Sequence, residues 1–168
     1  PIFDLAGNPY KVVKYAQDVT QRRLQNSENR GRISAINRAN GVVELSLDGT
    51  ILTANENFLR PLGYTLEEVK GKHHSTLVEP AYAKSEEYTA FWKKLRNGEF
   101  DHDTYKRIGK DGQVVWYDAS YNPITDDEGN LIKVVKFAQD VTQRRLRNSE
   151  NRGKIAAMGR ANGMVELG

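Results

Sequence analysis

The chain of 168 residues contains no cysteine. This absence excludes disulfide bonds, thiolate metal sites and cysteine nucleophiles, and it fits a reducing compartment. No apolar run approaches the length of a membrane span, and the residues after Pro1 do not have the pattern of a signal peptide. We therefore expect a cytoplasmic location and no membrane segment in this fragment.

Motifs of catalysis are also missing from the sequence. It has no glycine-rich phosphate loop and no metal-ligand spacing. The carboxylates are scattered over turns and helix starts, and the serines have no recognisable base with an orienting partner. The sequence therefore predicts a protein that is not an enzyme.

What the sequence does contain is an internal repeat. Residues 1–46 match residues 123–168 with about three-quarters of the positions identical, and Val12 and Val134 are equivalent positions 122 residues apart. A repeat fixes what counts as one unit, so one complete body lies at 41–142. The predicted organisation is a C-terminal strand fragment of a preceding repeat (1–19), a helical connector (20–40), the body (41–142), a second helical connector (143–163) and a first-strand fragment of the next repeat (164–168).

Basic residues are concentrated in the two connectors. Residues 20–40 carry a net charge of +4 and residues 142–162 a net charge of +5, whereas the whole chain carries +3. Basic segments are also found in nucleic-acid-binding proteins. These arginines are spread around the predicted helices and no aromatic residues interleave to stack on bases. We therefore interpret them as solvated helix faces and expect no nucleic-acid partner.

Turn signals and hydrophobic periodicity define the body. Two short strands around the Asp-Gly pair at 48–49 predict a hairpin. A longer helix follows Ser85, a favourable N-cap, and its apolar residues recur at helical spacing, whereas residues 72–83 are predicted to be irregular. Three strands end the body, separated by turns at 110–112 and 126–130. This order predicts an α+β fold with helices on one face of an antiparallel sheet.

With these features the body resembles a PAS domain over residues 41–142. The likeness is carried by Asp48-Gly49 with Asn55, Asn57-Phe58 through Leu62-Gly63-Tyr64, Gly71-Lys72, the helix with Trp92, Lys110-Asp111-Gly112, Trp116, Asn122-Pro123-Ile124 and Asp140-Val141-Thr142. Within that family it looks most like the tandem PAS modules of bacterial methyl-accepting chemotaxis proteins, through Gly71-Lys72-His73-His74, Pro80-Ala81-Tyr82-Ala83 and Lys133-Val134-Val135-Lys136-Phe137-Ala138.

The resemblance implies a five-stranded sheet in the order 2-1-5-4-3, a pocket between sheet and helices, and signal output through the flanking helices. The implied function is a sensory and signal-relay module of a bacterial chemoreceptor that binds a small ligand or cofactor. Its partners would be neighbouring PAS repeats and a downstream signalling domain. The alternative is a cofactor-free PAS scaffold for dimerisation.

Two adjacent histidines are the first candidates for a ligand site. His73 or His74 is a candidate axial ligand to a haem iron, because neutral imidazole commonly takes that role. The competing interpretation is a loop histidine hydrogen-bonded to backbone beside an exposed neighbour. In related haem-binding PAS domains, the residue that ligates the iron looks to lie nearer the position of Leu77 or on the longer helix. That helix has no histidine here. We interpret His102 as an exposed strand residue.

Trp92 is the second candidate. In the flavin-binding PAS domains of aerotaxis receptors, which this body resembles, a tryptophan at the matching position contacts the cofactor. The competing interpretation is a core aromatic residue, since the neighbouring helix positions are apolar. Those receptors have a His-Pro pair where this chain has Glu79-Pro80. This difference makes flavin a less favoured cofactor than haem. Chromophores that need a cysteine are excluded.

The third candidate is the junction between the last strand and the second connector. The resemblance assigns Asp140 and Thr142 to signal coupling, and the repeat gives Asp18 and Thr20 the same role at the first connector. Either pair also fits an ordinary helix start, with the aspartate or the threonine as N-cap.

Because the terminal strand fragments and an apolar stripe on each connector require cover, we expect self-association, with a homodimer as the favoured form.

Overall fold

The computed structural model describes residues 2–11, 18 and 20–163. The chain divides into two units, residues 1–35 and residues 36–168. The strand predicted for Tyr10–Val19 falls largely on residues outside the described ranges, and so does the first-strand fragment predicted at 164–168.

The first unit contains a two-stranded hairpin and most of a helix. Strand β1 (Ile2–Phe3) pairs antiparallel with β2 (Pro9–Lys11). Between them, Asp4 accepts backbone hydrogen bonds of 2.9 Å each from Ala6 and Asn8, which closes the turn. Helix α1 (Thr20–Ala39) buries none of its residues.

The second unit carries the remaining elements. In chain order they are β3 (Gly41–Leu45), β4 (Ile51–Ala54), α2 (Glu56–Leu62), α3 (Leu66–Val69), a short 3-10 helix (His74–Leu77), α4 (Pro80–Ala83), α5 (Glu86–Arg96), β5 (Asp101–Ile108), β6 (Val114–Thr125), β7 (Leu131–Asp140) and α6 (Thr142–Gly163). The predicted α+β class is confirmed.

Strands β3 to β7 form one antiparallel sheet in the order β4-β3-β7-β6-β5. Counted within the body, this is the predicted order 2-1-5-4-3. The central strand β7 pairs with β3 and β6, so Lys136 lies directly between Val43 and Tyr121. Because side chains alternate across a strand, these three residues point to the same face of the sheet.

The core lies between that face and the short helices. Along β7, Val134, Lys136 and Ala138 are buried in alternation with partly exposed residues. Helix α5 contributes Tyr88, Phe91, Trp92 and Leu95, the four positions predicted from helical spacing. Ser85 caps this helix by accepting a hydrogen bond from the Tyr88 backbone amide, as predicted.

The sequence prediction for residues 72–83 was wrong in one respect. It expected irregular structure, but this segment contains the 3-10 helix and α4. The His73 side chain caps the 3-10 helix through the Ser75 backbone amide. Pro80 occupies the first turn of α4, where the absence of a backbone N–H costs nothing. Four-residue helices of this kind are too short to produce a detectable hydrophobic period.

Candidate functional site

The paired histidines are positioned by the edge of the sheet. Residues 72–74 run beside the loop and strand at 49–51, where the Ile51 amide donates to the Lys72 carbonyl at 2.9 Å and the His74 amide donates to the Gly49 carbonyl at 2.8 Å. An antiparallel bridge joins Thr50 to His73. In this extended segment neighbouring side chains alternate, so His73 is exposed while His74 enters the core.

His74 is only 1% exposed, and both of its ring nitrogens have partners. Nδ1 lies 2.9 Å from the Tyr88 hydroxyl and Nε2 lies 3.0 Å from the Tyr121 hydroxyl. Burial, and then the positive charges of Arg107 and Lys136, hold the pKa of His74 well below its usual value. The imidazole is therefore neutral at neutral pH.

A continuous hydrogen-bond chain follows from this protonation state. Arg107 donates through Nη2 to the Tyr121 hydroxyl at 2.7 Å. With that oxygen accepting from the guanidinium, we assign the Tyr121 O–H as donor to His74 Nε2, since a neutral imidazole has one lone pair and one N–H. His74 Nδ1–H then donates to Tyr88. We call the chain Arg107–Tyr121–His74–Tyr88 the core relay, and it joins two strands of the sheet to helix α5.

Lys136 lies beside the core relay in a ring of aromatic side chains. Its Nζ atom is 4.6 Å from the ring centre of Phe58, 5.3 Å from that of Tyr117 and 4.9 Å from that of Tyr121. The side chain is 0% exposed, and no hydrogen-bond partner for Nζ exists in the described part of the chain. Burial, and then the charge of Arg107, lower the pKa of Lys136 well below its usual value.

The structure brings Trp92 next to both histidines, as the sequence predicted for a common site. The centre of its ring system lies 6.1 Å from that of His73 and 5.6 Å from that of His74. Trp92 is 4% exposed, and no acceptor in the described ranges meets hydrogen-bond geometry with its Nε1. A Cβ atom at Gly49 would lie 2.9 Å from the Trp92 ring, so the hairpin turn passes directly against this residue.

The histidines do not fit the role of a haem-iron ligand in this conformation. An axial ligand needs a ring nitrogen with a free lone pair. His73 Nδ1 accepts from the Ser75 amide at 3.1 Å, and its Nε2 lies 2.9 Å from the Asp48 carbonyl. Both nitrogens of His74 are engaged in the core relay. Haem binding would therefore require one of these hydrogen-bonded pairs to break.

The space between sheet and helices is filled by aromatic side chains. Phe91 packs edge-to-face against Tyr121 with ring centres 4.9 Å apart, and it contacts Trp92 at 5.5 Å. His74 stacks on Tyr88 at 6.0 Å. Such packing leaves no slot for the planar ring system of a flavin in this conformation. The flavin contact implied for Trp92 therefore does not fit these residues as they are arranged here.

A cleft at the edge of the sheet reaches the core relay. It has a volume of about 210 Å³ and lies between β5 and the starts of α4 and α5. Arg107 and the aromatic residues Tyr82 and Tyr105 form part of its wall, and Glu79, Glu87 and Asp103 contribute carboxylates. Since Arg107 is only 2% exposed, its side chain separates the cleft from the interior.

The second connector is attached to the sheet at the residues predicted for coupling. Asp140 Oδ1 accepts a 2.8 Å hydrogen bond from the Thr142 amide at the start of α6. The Thr142 hydroxyl accepts a 2.9 Å bond from the Trp116 amide in β6. The Arg145 guanidinium lies over the Trp116 ring at 4.1 Å. Asp18 makes the equivalent 2.8 Å bond to the Thr20 amide at the first connector.

The carboxyl end of α1 is attached to the body by two asparagines. Asn55 donates to the carbonyls of Asn37 at 3.0 Å and Asn40 at 2.9 Å. Asn57 donates to the carbonyls of Asn37 and Arg38, each at 3.0 Å. Terminal carbonyls of a helix lack partners within it, so these amides hold the end of the helix against α2.

Three functional residues were not identified from the sequence, namely Arg107, Tyr121 and Lys136. A signal existed for Lys136, because it falls on the buried period of β7 between Val134 and Ala138. Arg107 likewise alternates with partly exposed neighbours on β5. A charged residue on a buried period is unusual. His102, predicted to be exposed, is exposed and lies 3.0 Å from Asp118.

Neither a metal-binding cluster nor a membrane-spanning helix is found within the described residues. No group of three or more histidines, aspartates or glutamates is arranged to hold a metal ion in residues 2–11, 18 and 20–163. None of the helices described combines the length and apolar character needed to cross a membrane.

Comparisons with known proteins identify relatives of this fold. The family model described as the PAS fold matches residues 51–138. The biofilm dispersion protein BdlA of Pseudomonas aeruginosa is 40% identical over 147 residues, 88% of this chain and 35% of that protein. The aerotaxis receptor of Escherichia coli is 26% identical over 122 residues, 73% of this chain and 24% of that protein. A solved RNA-binding light-oxygen-voltage receptor superposes with a TM-score of 0.62 at 19% identity, covering 92% of this chain and 42% of that one.

An antiparallel five-stranded sheet that packs short helices over an aromatic core with a few buried polar side chains defines a class of α+β domain. Within that class the chain belongs to the PAS family. It spans about a third or less of the two curated relatives named above.

Proposed function

We propose that this chain is a sensory and relay module of a bacterial chemoreceptor, without enzymatic activity, located in the cytoplasm. It binds a small ligand in the body and transmits the result through α1 and α6. The observation that carries this proposal is the core relay. A chain of hydrogen-bonded polar side chains inside an otherwise largely apolar core links the cleft to the sheet and to α5.

The route from the core relay to the output helix is short. Tyr121 lies on β6 and pairs with Lys136 on β7. At the attachment of α6, where β6 begins and β7 ends, Trp116 of β6 and Asp140 of β7 both bond to Thr142. A change in the register or twist of these strands would therefore alter the first turn of α6. Such a junction between the core and a helix suits a switch.

Removal of one hydroxyl group tests this coupling without any ligand. Tyr121→Phe deletes the bond from Arg107 and the bond to His74, and we expect faster hydrogen exchange at residues 142–152. Tyr64→Phe is the matched control, because Tyr64 packs against the core outside the relay. Equal exchange in Tyr121→Phe and the wild type, in a protein that remains folded, would reject relay function.

A cofactor-free dimerisation scaffold is the second candidate function. The aromatic packing around His74, Phe91 and Trp92 favours it, because the interior is filled in this conformation. The visible absorption spectrum of freshly purified protein separates the alternatives for a coloured cofactor. A Soret band or a flavin spectrum supports sensing through a cofactor. A colourless protein supports either a sensor with a colourless ligand or the dimerisation scaffold.

A further inference from the structure

The charged or polar side chains buried in the body are all bases. Among the described residues they are His74, Arg107 and Lys136. Neither Arg107 nor Lys136 takes part in an ion pair within the described ranges. The carboxylate of Asp101 on β5 is held by Lys94 at 2.6 Å. Buried charges in proteins are normally paired or neutralised, so a proton added to this interior would meet no free negative charge there.

Lys136 is the member of this set whose surroundings oppose its charge from every side. Its Nζ atom has no hydrogen-bond partner in the described part of the chain. The three aromatic rings around it attract an ammonium group, but they cannot replace the acceptors that its N–H donors need. Loss of water, and then the charge of Arg107, outweigh that attraction and lower the pKa of Lys136 well below its usual value. Arg107 itself stays charged at all physiological pH values.

The groups that face Lys136 from the neighbouring elements give the amine no counter-charge. On β6, Tyr117 donates to the Phe58 carbonyl at 2.8 Å, and Tyr121 belongs to the core relay. Burial raises the pKa of both tyrosines, so they are neutral phenols at physiological pH. The core relay adds the positive guanidinium and the neutral imidazole described above. Strand β3 presents the apolar Val43 beside the amine.

Exposure of the amine to water restores its affinity for a proton. In a locally opened form of the core, hydrated Lys136 binds a proton at any pH below its usual pKa of 10.5, whereas in the closed form it binds one only at a much lower pH. Between these two pKa values, each unit of acidification favours the opened form by up to about tenfold. Opening is therefore rarest at alkaline pH and becomes more frequent as the pH falls, until the closed form also binds the proton.

We propose that the body senses acidification, with a proton taken up by the Lys136 amine as its ligand. This inference rests on the proposed relay function and names its stimulus. Lys136 lies between Val43 of β3 and Tyr121 of β6, so a movement of its side chain toward water disturbs both inner strand pairs of the sheet. Further along β7, Asp140 accepts from the Thr142 amide at the start of α6. Opening at Lys136 therefore reaches the attachment of α6 along a single strand.

Hydrogen exchange at residues 142–152, measured between pH 9 and pH 7 without any added ligand, tests the proposal. Protection factors, which are corrected for the intrinsic pH dependence of amide exchange, should fall in the wild type by up to about tenfold per pH unit as the pH falls. Lys136→Met cannot take up a proton at this position, so its protection factors should stay nearly constant. The range lies above the usual pKa of histidine, about 6.5, so the titration of His74 does not contribute.

Lys133→Met is the matched control, because Lys133 lies on the same strand but pairs with Glu44, and it should keep the pH dependence of the wild type. If Lys136→Met does not fold, Lys136→Gln, which is neutral at every pH, takes its place. An NMR titration of the Lys136 side chain measures proton uptake directly, and its midpoint should lie below the usual lysine value of 10.5.

Three results would overturn proton sensing by Lys136. They are a constant protection of residues 142–152 in the wild type, the same pH dependence in the wild type and Lys136→Met, and an ordinary lysine midpoint in the NMR titration. The exchange experiment with Tyr121→Phe is made at a single pH. It can therefore succeed where this one fails, so the failure of relay function and the failure of proton sensing are separate results.

Discussion

The hydroxyl group of Tyr121 and Nε2 of His74 lie 3.0 Å apart at the centre of the body, and neither residue is more than 1% exposed. One side chain comes from the sheet and the other from the segment that crosses its edge. A buried polar pair of this kind is stabilised when its own donors and acceptors are hydrogen-bonded. Arg107 and Tyr88 complete the set, which is why these four residues act as one unit.

The protonation state of His74 gives a pH prediction. Its pKa is lowered in the folded protein, so below a pH of about 6.5 the unfolded chain binds a proton that the folded protein does not. The free energy of unfolding should then decrease as the pH falls from about 6.5 toward the folded pKa, by up to about 1.4 kcal/mol per pH unit. Urea unfolding between pH 7.5 and 5 measures this slope.

Two variants isolate the contribution of His74 to that slope. His74→Gln cannot titrate, so its stability should fall less steeply over the same pH range, although it starts from a lower value. His102→Gln serves as the control, because His102 is exposed on β5, and it should keep the wild-type slope. Parallel profiles for the wild type and His74→Gln would contradict the assignment.

Replacement of Lys136 by an apolar residue is predicted to raise the stability of the folded protein. Lys136→Met replaces a buried amine that has no partner with an apolar chain of similar length, so the free energy of unfolding should rise by about 1–3 kcal/mol. The folded pKa of Lys136 is lowered, so the wild type loses stability as pH falls below about 10.5. The advantage of Lys136→Met should therefore be larger at pH 7 than at pH 9.

The comparison with Lys133→Met decides whether the burial of the Lys136 amine causes the gain in stability of Lys136→Met. Lys133 is partly exposed and pairs with Glu44 at 2.8 Å, so this control should change stability by less than about 1 kcal/mol. A Lys136→Met protein that is less stable than the wild type would show that the amine is satisfied in solution.

Local signals in the sequence were sufficient for most of the elements and for the α+β class, whereas the order of the strands came from the resemblance to PAS domains. The Asp-Gly turn at 48–49, the Ser85 cap and the period of α5 each predict one element without reference to the others. The core relay could not be predicted in this way. His74 was identified, but which of the paired histidines enters the core depends on the bridge between Thr50 and His73, a contact that no local pattern reveals.

The same limit applies to the coupling residues. Asp140 and Thr142 were identified through the resemblance, with either of them as N-cap in the alternative interpretation, and the structure shows Asp140 accepting from the Thr142 amide. The role of Trp116 depends on the pairing of β6 with β7, which places its amide beside the Thr142 hydroxyl. Pairing between strands distant in sequence is set by the whole sheet, so Trp116 appeared only as a family feature.

The cap at the second connector can be tested directly. Asp140→Ala removes the acceptor for the Thr142 amide, and the loss of such a cap costs about 1 kcal/mol. Because the apolar core is untouched, the body should stay folded while hydrogen exchange at residues 142–162 becomes faster. Asp127→Ala, in the exposed turn before β7, is the control. Equal protection in Asp140→Ala and the wild type would reject the role of this cap.

Asn55 has two functions that substitution can separate. Its oxygen accepts from two backbone amides of the body, and its amide group donates to the carbonyls of Asn37 and Asn40. Asn55→Asp retains the acceptor but places a charge against the helix carbonyls. We expect faster hydrogen exchange at residues 36–40 with a small change in Tm, whereas Asn55→Ala should lower Tm as well. Identical Tm losses in both variants would show that the functions are not separable.

Self-association is the prediction that follows from the exposed apolar residues of the connectors. Leu24, Ile33 and Ile36 on α1 are 60%, 58% and 42% exposed, and Leu146 on α6 is 52% exposed. Helices with so little burial of their own are rarely stable as single helices in water. A second copy of the chain that covers these residues would stabilise both connectors, and closed two-fold dimers are the commonest way to do so.

Light scattering at micromolar concentration measures the mass directly. We expect twice the chain mass of 19.0 kDa for the wild type, and a shift toward the monomer mass for a variant that carries Ile33→Glu and Ile36→Glu. Leu52→Glu is the matched control, because Leu52 is 39% exposed on β4 of the body and should leave the dimer intact. A wild-type protein with the mass of a single chain would show that the connectors do not need a second copy.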